Sequence, residues 1–267
     1  MSKFRLRFSR KHLMIPYALF LLLFVVLPII LIVYYAFTNG GGHFSFANLT
    51  KFFTDSTKLN VLFVSLLIGF ANTFLCLLIG YPIAYLLANK RYNANKFIVL
   101  LFIMPMWINF VLRTGATRDM LVWIGLSGGK FPIIATMIGM VYNYLPFVIL
   151  PLYTTMLKMD KSLIEASGDL GATPAMTFVK TIIPLSMPGI VSAATMVFMP
   201  TMSSYVISDV LSEGQITLFG NSIYLNFSQG QWNDGSFMAF ILLVIIMISM
   251  FLTKNVKKEE NARASIW

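Results

Sequence analysis

The sequence predicts an all-α membrane protein with about six transmembrane helices. Hydrophobic residues make up 58% of the 267 residues, charged residues only 11%, and the mean hydropathy is +0.79. The charges fall between long uncharged runs, and a helix of about 20 apolar residues is long enough to span a bilayer. Because soluble domains carry about 25% charged residues, this composition excludes an ordinary soluble domain.

Six uncharged runs define the predicted spans. They cover residues 13–42, 59–89, 97–112, 131–157, 181–208 and 235–253. Five are long enough outright. The third has only 16 residues before Arg113, so it is expected either to continue past that residue or to end early in a protein-lined cavity. The predicted organisation is a basic tail over 1–12, one transmembrane domain over 13–253 and a second tail over 254–267.

Lysine and arginine residues indicate which side of the membrane each loop occupies. Fifteen of the 20 basic residues fall in four segments that share a side when six helices alternate: the two tails, the connection containing Lys90, Arg91 and Lys96, and the loop 158–187. Cytoplasmic loops carry such an excess. Both termini and loop 158–187 are therefore expected in the cytoplasm. The net charge of +10 is accordingly interpreted as a topology signal rather than a nucleic-acid surface.

The loop 158–187 is predicted to contain two short helices. Ser162 and Glu165 have the spacing of a capping box, in which each side chain bonds an end amide of the same helix. Gly171 suits the residue after a helix end, and Thr173 and Pro174 suit the cap and first position of a second helix. The first helix has an apolar stripe of Leu163, Ile164, Ala166 and Leu170. By periodicity alone, the segment is also typical of an amphipathic helix lying on the membrane surface.

This loop resembles the cytoplasmic loop of bacterial ABC importer permeases. The family pattern is Glu-Ala-Ala, three residues, Gly, nine residues, Ile, one residue and Leu-Pro. The residues that match are Glu165, Ala166, Gly171 and Pro184, and those that depart are Ser167, Thr181 and Ile183. The resemblance implies that this segment, including Asp169, docks an ATPase and couples its motion to a membrane pore.

Polar and aromatic residues near membrane depth are candidate substrate contacts, because such groups are costly there without a role or a partner. Asp209 follows a 28-residue uncharged run, close after Tyr205. The segment 209–234 contains Asp209, Glu213 and Asp234 but neither Lys nor Arg, and it also holds Tyr224 and Trp232. An acidic, aromatic-lined mouth suits a cation. Solvated loop acids and an interfacial aromatic belt remain the alternative interpretation.

The third and fourth runs add Trp107, Asn109 and Tyr144 to the candidate substrate path, along with Tyr142 and Asn143. The two asparagines are expected either to hydrogen-bond between helices or to contact substrate. Arg113, Arg118 and Asp119 are expected to pair with one another at the outer end.

Over nearly its whole length the chain resembles the B-type permease subunits of spermidine/putrescine ABC importers. The resemblance is carried by Leu145-Pro-Phe, Pro151-Leu-Tyr, Glu165-Ala-x-x-Asp-Leu-Gly-Ala, Pro184-Leu-x-x-Pro-Gly-Ile, Tyr205-Val-x-Ser-Asp and Gly220-Asn. It implies a type I ABC importer permease fold in the bacterial inner membrane and a polyamine substrate. The implied partners are a second homologous permease subunit, two cytoplasmic ATPase subunits and an extracytoplasmic polyamine-binding protein. The connection from Arg113 to Phe131 is short for this family.

Motifs for catalysis do not occur in the sequence. It contains no G-x-x-x-x-G-K-[ST] phosphate loop, no G-x-S-x-G and no His/Cys/carboxylate set with metal-ligand spacing. No cofactor is therefore expected on this chain, and ATP and Mg²⁺ are expected to be used by the partner ATPases. Three alternatives remain: the same scaffold carrying another small solute, a self-sufficient secondary transporter, and a membrane enzyme. Paired broken helices in two repeated halves, typical of secondary transporters, are not evident.

Overall fold

The computed structural model describes residues 14–89 and 97–264, and within them every regular element is a helix. One isolated antiparallel bridge joins Thr38 and Phe44. The predicted basic tail over 1–12 and the cluster of Lys90, Arg91 and Lys96 lie outside the described residues. The all-α prediction is confirmed for the described part of the chain.

The first half of the chain supplies seven α-helices. They are α1 (Met14–Leu21), α2 (Leu27–Ala36), α3 (Ala47–Thr54), α4 (Ser56–Ala88), α5 (Phe97–Ile103), α6 (Phe110–Trp123) and α7 (Pro132–Leu157). A π-helical turn, Leu22–Val26, joins α1 to α2, and a 3-10 turn, Met104–Trp107, follows α5. The second half contributes α8 (Lys161–Asp169), α9 (Pro174–Thr177), α10 (Ile183–Leu185), α11 (Met187–Ser203), α12 (Val206–Ser212), α13 (Phe219–Ser228) and α14 (Trp232–Ala264). A second π-helical turn, Phe178–Ile182, joins α9 to α10.

Four helical segments in the described ranges are long and apolar enough to cross a membrane: Met14–Ala36, Ser56–Ala88, Pro132–Leu157 and Trp232–Phe251. Two bent pairs pass the same test when each pair is taken as one span: Phe97–Trp107 with Phe110–Trp123, and Pro174–Leu185 with Met187–Ser203. The predicted number of about six spans is reached in this way. Two of the six are therefore broken helices rather than continuous ones.

The third predicted run continues past Arg113, but it does so around a bend of 98°. Pro105 is the second residue of the 3-10 turn, and Ile108 and Asn109 leave the helical conformation with ψ near 139° and 124°. Proline supplies no amide hydrogen for the helix ladder. Asn109 then caps the new helix, because its Oδ1 accepts a hydrogen bond from the Val111 amide at 2.9 Å.

The fifth predicted run, 181–208, is not one continuous helix: it contributes to a bent span that ends at Ser203, and its last residues belong to α12. Ser186 separates α10 from α11 at a bend of 64°, and Pro184 and Pro188 on either side provide no amide hydrogen. At the other end α11 stops at Ser203, Ser204 is extended, and the chain restarts as α12. Uncharged composition alone does not reveal these breaks.

The core forms where α4, α7 and α11 pack together. Cys76 of α4, Val148 and Leu152 of α7, and Val197 of α11 are fully buried in one cluster. Gly80 permits the close approach of α4 and α7, because a Cβ there would lie 2.7 Å from Val148 Cγ1. This three-helix centre supports the elements described below.

Candidate functional site

The helix α8 begins with a side-chain cap at Asp160. The Asp160 Oδ1 accepts a hydrogen bond from the Ser162 amide at 2.9 Å, and this donation lowers the pKa of the Asp160 carboxyl. The predicted Ser162–Glu165 capping box is wrong, because Asp160 occupies the cap and places Ser162 and Glu165 inside the helix. Aspartate is among the preferred capping residues.

The end of α8 is a Schellman turn centred on Gly171. The Ala172 amide donates to the Ser167 carbonyl at 3.2 Å, and the Gly171 amide donates to the Gly168 carbonyl at 2.9 Å. Gly171 has a φ of +81°, the left-handed conformation that this turn requires and that glycine adopts without penalty. The predicted second cap is also confirmed, since the Thr173 Oγ1 accepts from the Met176 amide at 3.3 Å next to Pro174.

The surface of α8 is almost entirely open in the isolated chain. The matched residues Glu165, Ala166 and Asp169 are exposed, and no residue of the helix is buried. Leu170 is 89% exposed, so part of the predicted apolar stripe is not covered by any residue that the structure describes. A short amphipathic helix with an uncovered apolar residue is suited to a protein partner.

A cleft of about 200 Å³ lies between α8 and the ends of α4 and α7. Glu165 and Ile164 line it from α8, Tyr85 from α4 and Met156 from α7. The cleft brings a carboxylate of α8 next to the ends of two membrane helices. Residues of α8 and of the two membrane helices therefore face one shared cleft.

Aromatic contacts tie the segment after α8 to α4. Phe178 packs edge-on against Tyr81 at 5.7 Å and Tyr85 at 5.5 Å between ring centroids. The Tyr81 hydroxyl is 2.8 Å from the Ser186 hydroxyl at the start of α11. Pro184 lies in the short helix α10, between Phe178 and Ser186 along the chain, and it is exposed.

At the other end of α11, two tyrosines and an acid come together. The rings of Tyr205 and Tyr224 are stacked with centroids 4.7 Å apart and planes 9° from parallel. Asp209 lies one turn beyond Tyr205, in the first turn of α12, and its amide donates to the Tyr205 carbonyl at 3.0 Å. All three residues are exposed. Residues four apart along a helix share a face, so Asp209 and the stacked rings offer a negative charge and an aromatic surface at the same end of α11, a combination suited to a cation.

The acidic segment 209–234 is less negative than its composition predicts. The Asp234 side chain, only 13% exposed, pairs with Lys51 of α3 and with Lys58 of α4, the latter at 3.1 Å. Asp234 is therefore an ion-pairing residue, and the solvated-loop interpretation is wrong for it. Glu213 is exposed in a left-handed conformation at the end of α12. Asp209 and Glu213 are the exposed acids of this segment, and only Asp209 lies one turn from the stacked tyrosines.

Comparison with known proteins identifies the family. The chain is 33% identical over 268 residues to the spermidine/putrescine transport system permease protein PotB of Escherichia coli (strain K12), covering 90% of this chain and 97% of that protein. It is 31% identical over 267 residues to PotB of Haemophilus influenzae, covering 92% and 93%. The chain belongs to the PotB family of transport system permeases. No model of a known protein family matches the permease.

Solved structures show the same fold. The permease aligns with a chain of a bacterial ABC transporter involved in the import of the acidic polysaccharide alginate, with a TM-score of 0.65, 18% identity and coverage of 92% and 95%. It aligns with a chain of the MetNI methionine ABC transporter with a TM-score of 0.56, 19% identity and coverage of 77% and 98%. The predicted ABC importer permease fold is confirmed, and the permease is a multi-pass membrane protein.

The remaining predicted path residues lie apart from the Tyr205–Tyr224 stack. Trp107 is 77% exposed on the 3-10 turn. Asn109 is exposed and caps α6 rather than bonding between helices. Tyr144 of α7 is half-buried, and its hydroxyl donates to the Pro200 carbonyl of α11 at 3.2 Å. Tyr144 therefore links α7 to the last turn of α11, shortly before Tyr205.

A buried arginine in the broken third span was not predicted. Arg113 is 7% exposed; its Nε donates to the Asn143 Oδ1 at 2.8 Å, and its guanidinium also donates to the Pro105 carbonyl. It lies over the Tyr142 ring at 5.7 Å. The predicted pairing with Arg118 and Asp119 is wrong, because both ion pairs among the described residues use Asp234. The sequence did contain one indication of this buried site: Asn143, a polar residue within the otherwise apolar fourth run, could serve as a partner for Arg113.

Proposed function

We propose that the permease is a pore-forming subunit of an ATP-driven ABC importer for polyamines such as spermidine and putrescine. The observation that carries this proposal is the 31–33% identity to PotB proteins over about nine tenths of the chain. The open surface of α8 supports coupling to an ATPase, and the Tyr205–Tyr224–Asp209 group supports passage of a polyamine. ATP hydrolysis belongs to partner subunits in this proposal, and the chain itself binds no cofactor.

The proposed assembly contains four kinds of protein. A second homologous permease completes the pore, two cytoplasmic ATPases dock on α8 and its counterpart, and an extracytoplasmic binding protein delivers the polyamine. A solved alginate ABC transporter of the same fold is in complex with a periplasmic protein that carries an alginate pentasaccharide. The exposed Leu170 and Glu165 supply an apolar contact and a charge to the ATPase.

The proposed orientation in the bacterial inner membrane places α8 and both termini in the cytoplasm. Ser228 at the end of α13 and Lys161 at the start of α8 are both exposed in the folded chain, so access to a reagent depends on the membrane side. In intact cells, a membrane-impermeant thiol reagent added outside is expected to label Ser228→Cys and to miss Lys161→Cys. The native Cys76 is buried and supplies the background control. Labelling of Lys161→Cys from outside would reverse the orientation and remove the ATPase-docking role of α8.

Asp209 is proposed to attract the ammonium groups of the substrate. A cation over an aromatic face gains about 0.5–2 kcal/mol, and a carboxylate beside it adds charge attraction that grows as water is excluded. A second permease facing this exposed group would exclude that water. Asp209→Asn keeps the shape and removes the charge, so the change isolates the electrostatic contribution.

The test is polyamine-stimulated ATPase activity of the purified assembly in lipid. The native assembly is expected to respond to spermidine or putrescine, and Asp209→Asn is expected to need about 5- to 150-fold more polyamine, equivalent to about 1–3 kcal/mol. Glu213→Gln is the matched control, since Glu213 is an exposed acid of the same segment outside the aromatic stack. An unchanged polyamine dependence in Asp209→Asn would return Asp209 to a solvated loop charge. No polyamine response in the native assembly would favour another small solute.

A further inference from the structure

Three hydroxyl groups meet where α8 folds back on the segment that leads into the fifth span. The Ser167 Oγ of α8 is 3.1 Å from the Thr177 Oγ1 of α9. The Thr181 Oγ1, in the π-helical turn, donates to the same Ser167 oxygen at 3.3 Å. We refer to Ser167, Thr177 and Thr181 as the hydroxyl cluster. It crosses the Gly171 turn and joins the two sides of the loop.

Burial places this cluster on the inner side of α8. Ser167 is half-buried, whereas its neighbours Ala166 and Gly168 are exposed, and Thr177 is 8% exposed. The helix α8 has nine residues and none of them is buried. Helices this short are marginal in water without tertiary contacts. The hydroxyl cluster is therefore one of few contacts that define the position of α8.

Ser167 and Thr181 are two of the three positions at which the loop departs from the family pattern. They are the two at which a polar side chain replaces an apolar one. That pattern has alanine where Ser167 stands and isoleucine where Thr181 stands, and neither of those side chains forms hydrogen bonds. Both departures introduce a hydroxyl, and the two hydroxyls bond to each other. A partly buried hydroxyl without a hydrogen-bond partner is unfavourable, whereas two hydroxyls that bond to each other avoid this cost. The two departures therefore compensate each other.

The cluster continues into the membrane helices through rigid contacts. Thr181 lies in the same π-helical turn as Phe178, whose ring packs against Tyr81 and Tyr85 of α4. Ser186, five residues on, is bonded to Tyr81. Single π-helical turns are frequent at functional sites. A displacement of Ser167 would therefore be passed to a segment that is already attached to α4 and α11.

We propose that the hydroxyl cluster holds α8 in register with the fifth span and determines how much of an ATPase movement at α8 reaches the pore. Ser167, Thr177 and Thr181 are positioning residues in this scheme, and they contact neither substrate nor nucleotide. The inference rests on the proposed coupling function of α8. It adds to that function the specific contacts through which the movement passes within this chain.

The first test measures the number of polyamine molecules imported per ATP hydrolysed by the reconstituted assembly. Ser167→Ala and Thr181→Val each remove one hydroxyl, and each is expected to lower this ratio about fivefold. The loss of one hydrogen bond changes by about this factor the equilibrium between the attached and the detached position of α8. Thr181→Ser retains the hydroxyl and is expected to preserve the ratio. Thr154→Val is the matched control, because the Thr154 hydroxyl lies outside the cluster and is bonded only within α7. A purely structural role would reduce the amount of assembly without changing the ratio.

The second test does not depend on the substrate. Spin labels at Lys161→Cys on α8 and Met196→Cys on α11, both exposed positions, report the distance between the two helices. In Ser167→Ala and Thr181→Val the distance distribution is expected to broaden, and in Thr181→Ser it is expected to match the native one. An unchanged distribution, or an unchanged transport ratio in an assembly that imports polyamine, overturns the proposal. If the native assembly imports no polyamine, the proposed substrate fails, and the distance measurement alone decides on the hydroxyl cluster.

Discussion

Replacing Gly171 by leucine is expected to abolish uptake while the subunit still inserts into the membrane. Gly171 has a φ of +81°, and a Cβ built there meets no atom within 4 Å. The penalty is therefore backbone strain rather than a clash, about 1–2 kcal/mol for a residue with a Cβ in this conformation. Since α8 has no buried residue to hold it, the strain is expected to open the Schellman turn and move the docking surface away from the ATPase.

The matched variant for this prediction is Gly171→Asn. Asparagine adopts the left-handed conformation more readily than other residues with a Cβ, so uptake is expected to be largely retained although a side chain is added at the same exposed position. Uptake of labelled polyamine and the amount of subunit in the membrane are measured together. Normal uptake in Gly171→Leu would mean that the coupling element has been misplaced.

Replacing Asn143 by leucine is expected to lower the free energy of unfolding by about 2–3 kcal/mol, because it leaves a buried guanidinium without one of its acceptors. Asn143 is 2% exposed, and its Oδ1 accepts from the Arg113 Nε at 2.8 Å. Hydrogen bonds to charged groups are about twice as strong as neutral ones. Since Arg113 also donates to the Pro105 carbonyl, the bend of the third span is expected to loosen as well.

A double-mutant cycle separates this charge effect from lost packing. Arg113→Met removes the buried charge, so the double variant Arg113→Met/Asn143→Leu is expected to be more stable than the sum of the two single changes predicts. Denaturant unfolding of the subunit in detergent gives the four free energies. Strict additivity, or an Asn143→Leu variant as stable as the native subunit, would show that Arg113 does not depend on Asn143.

Local structure in the loop 158–187 could be predicted well because its signals act over short distances. Gly171 and the pair Thr173–Pro174 specify a turn and a cap through their own backbone preferences, and the structure confirms both. The start of α8 was predicted wrongly, because Ser162 was taken as the cap although Asp160, two residues earlier, is an equally good capping residue. The backbone at Asp160 is extended, and this conformation assigns the cap to Asp160.

Contacts between distant parts of the chain could not be predicted in the same way. Asp234 is separated by more than 170 residues from the lysines that neutralise it. Tyr205 and Tyr224 lie on different helices, and only the packing of the chain end brings their rings together. Arg113 reaches Asn143 because the third span bends, and uncharged composition contains no signal for the bend angle.

The sequence by itself determined the all-α membrane class, the approximate number of spans and the local form of the loop 158–187. Hydrophobic length and residue-level backbone preferences are properties of short segments, so they can be read without knowing what each segment contacts. Only the tertiary structure decided which spans are broken, which acids are already paired and which hydroxyls meet between α8 and the segment that follows it. Those outcomes depend on hydrogen bonds and charge pairs whose energy is large only when two distant groups are placed together away from water.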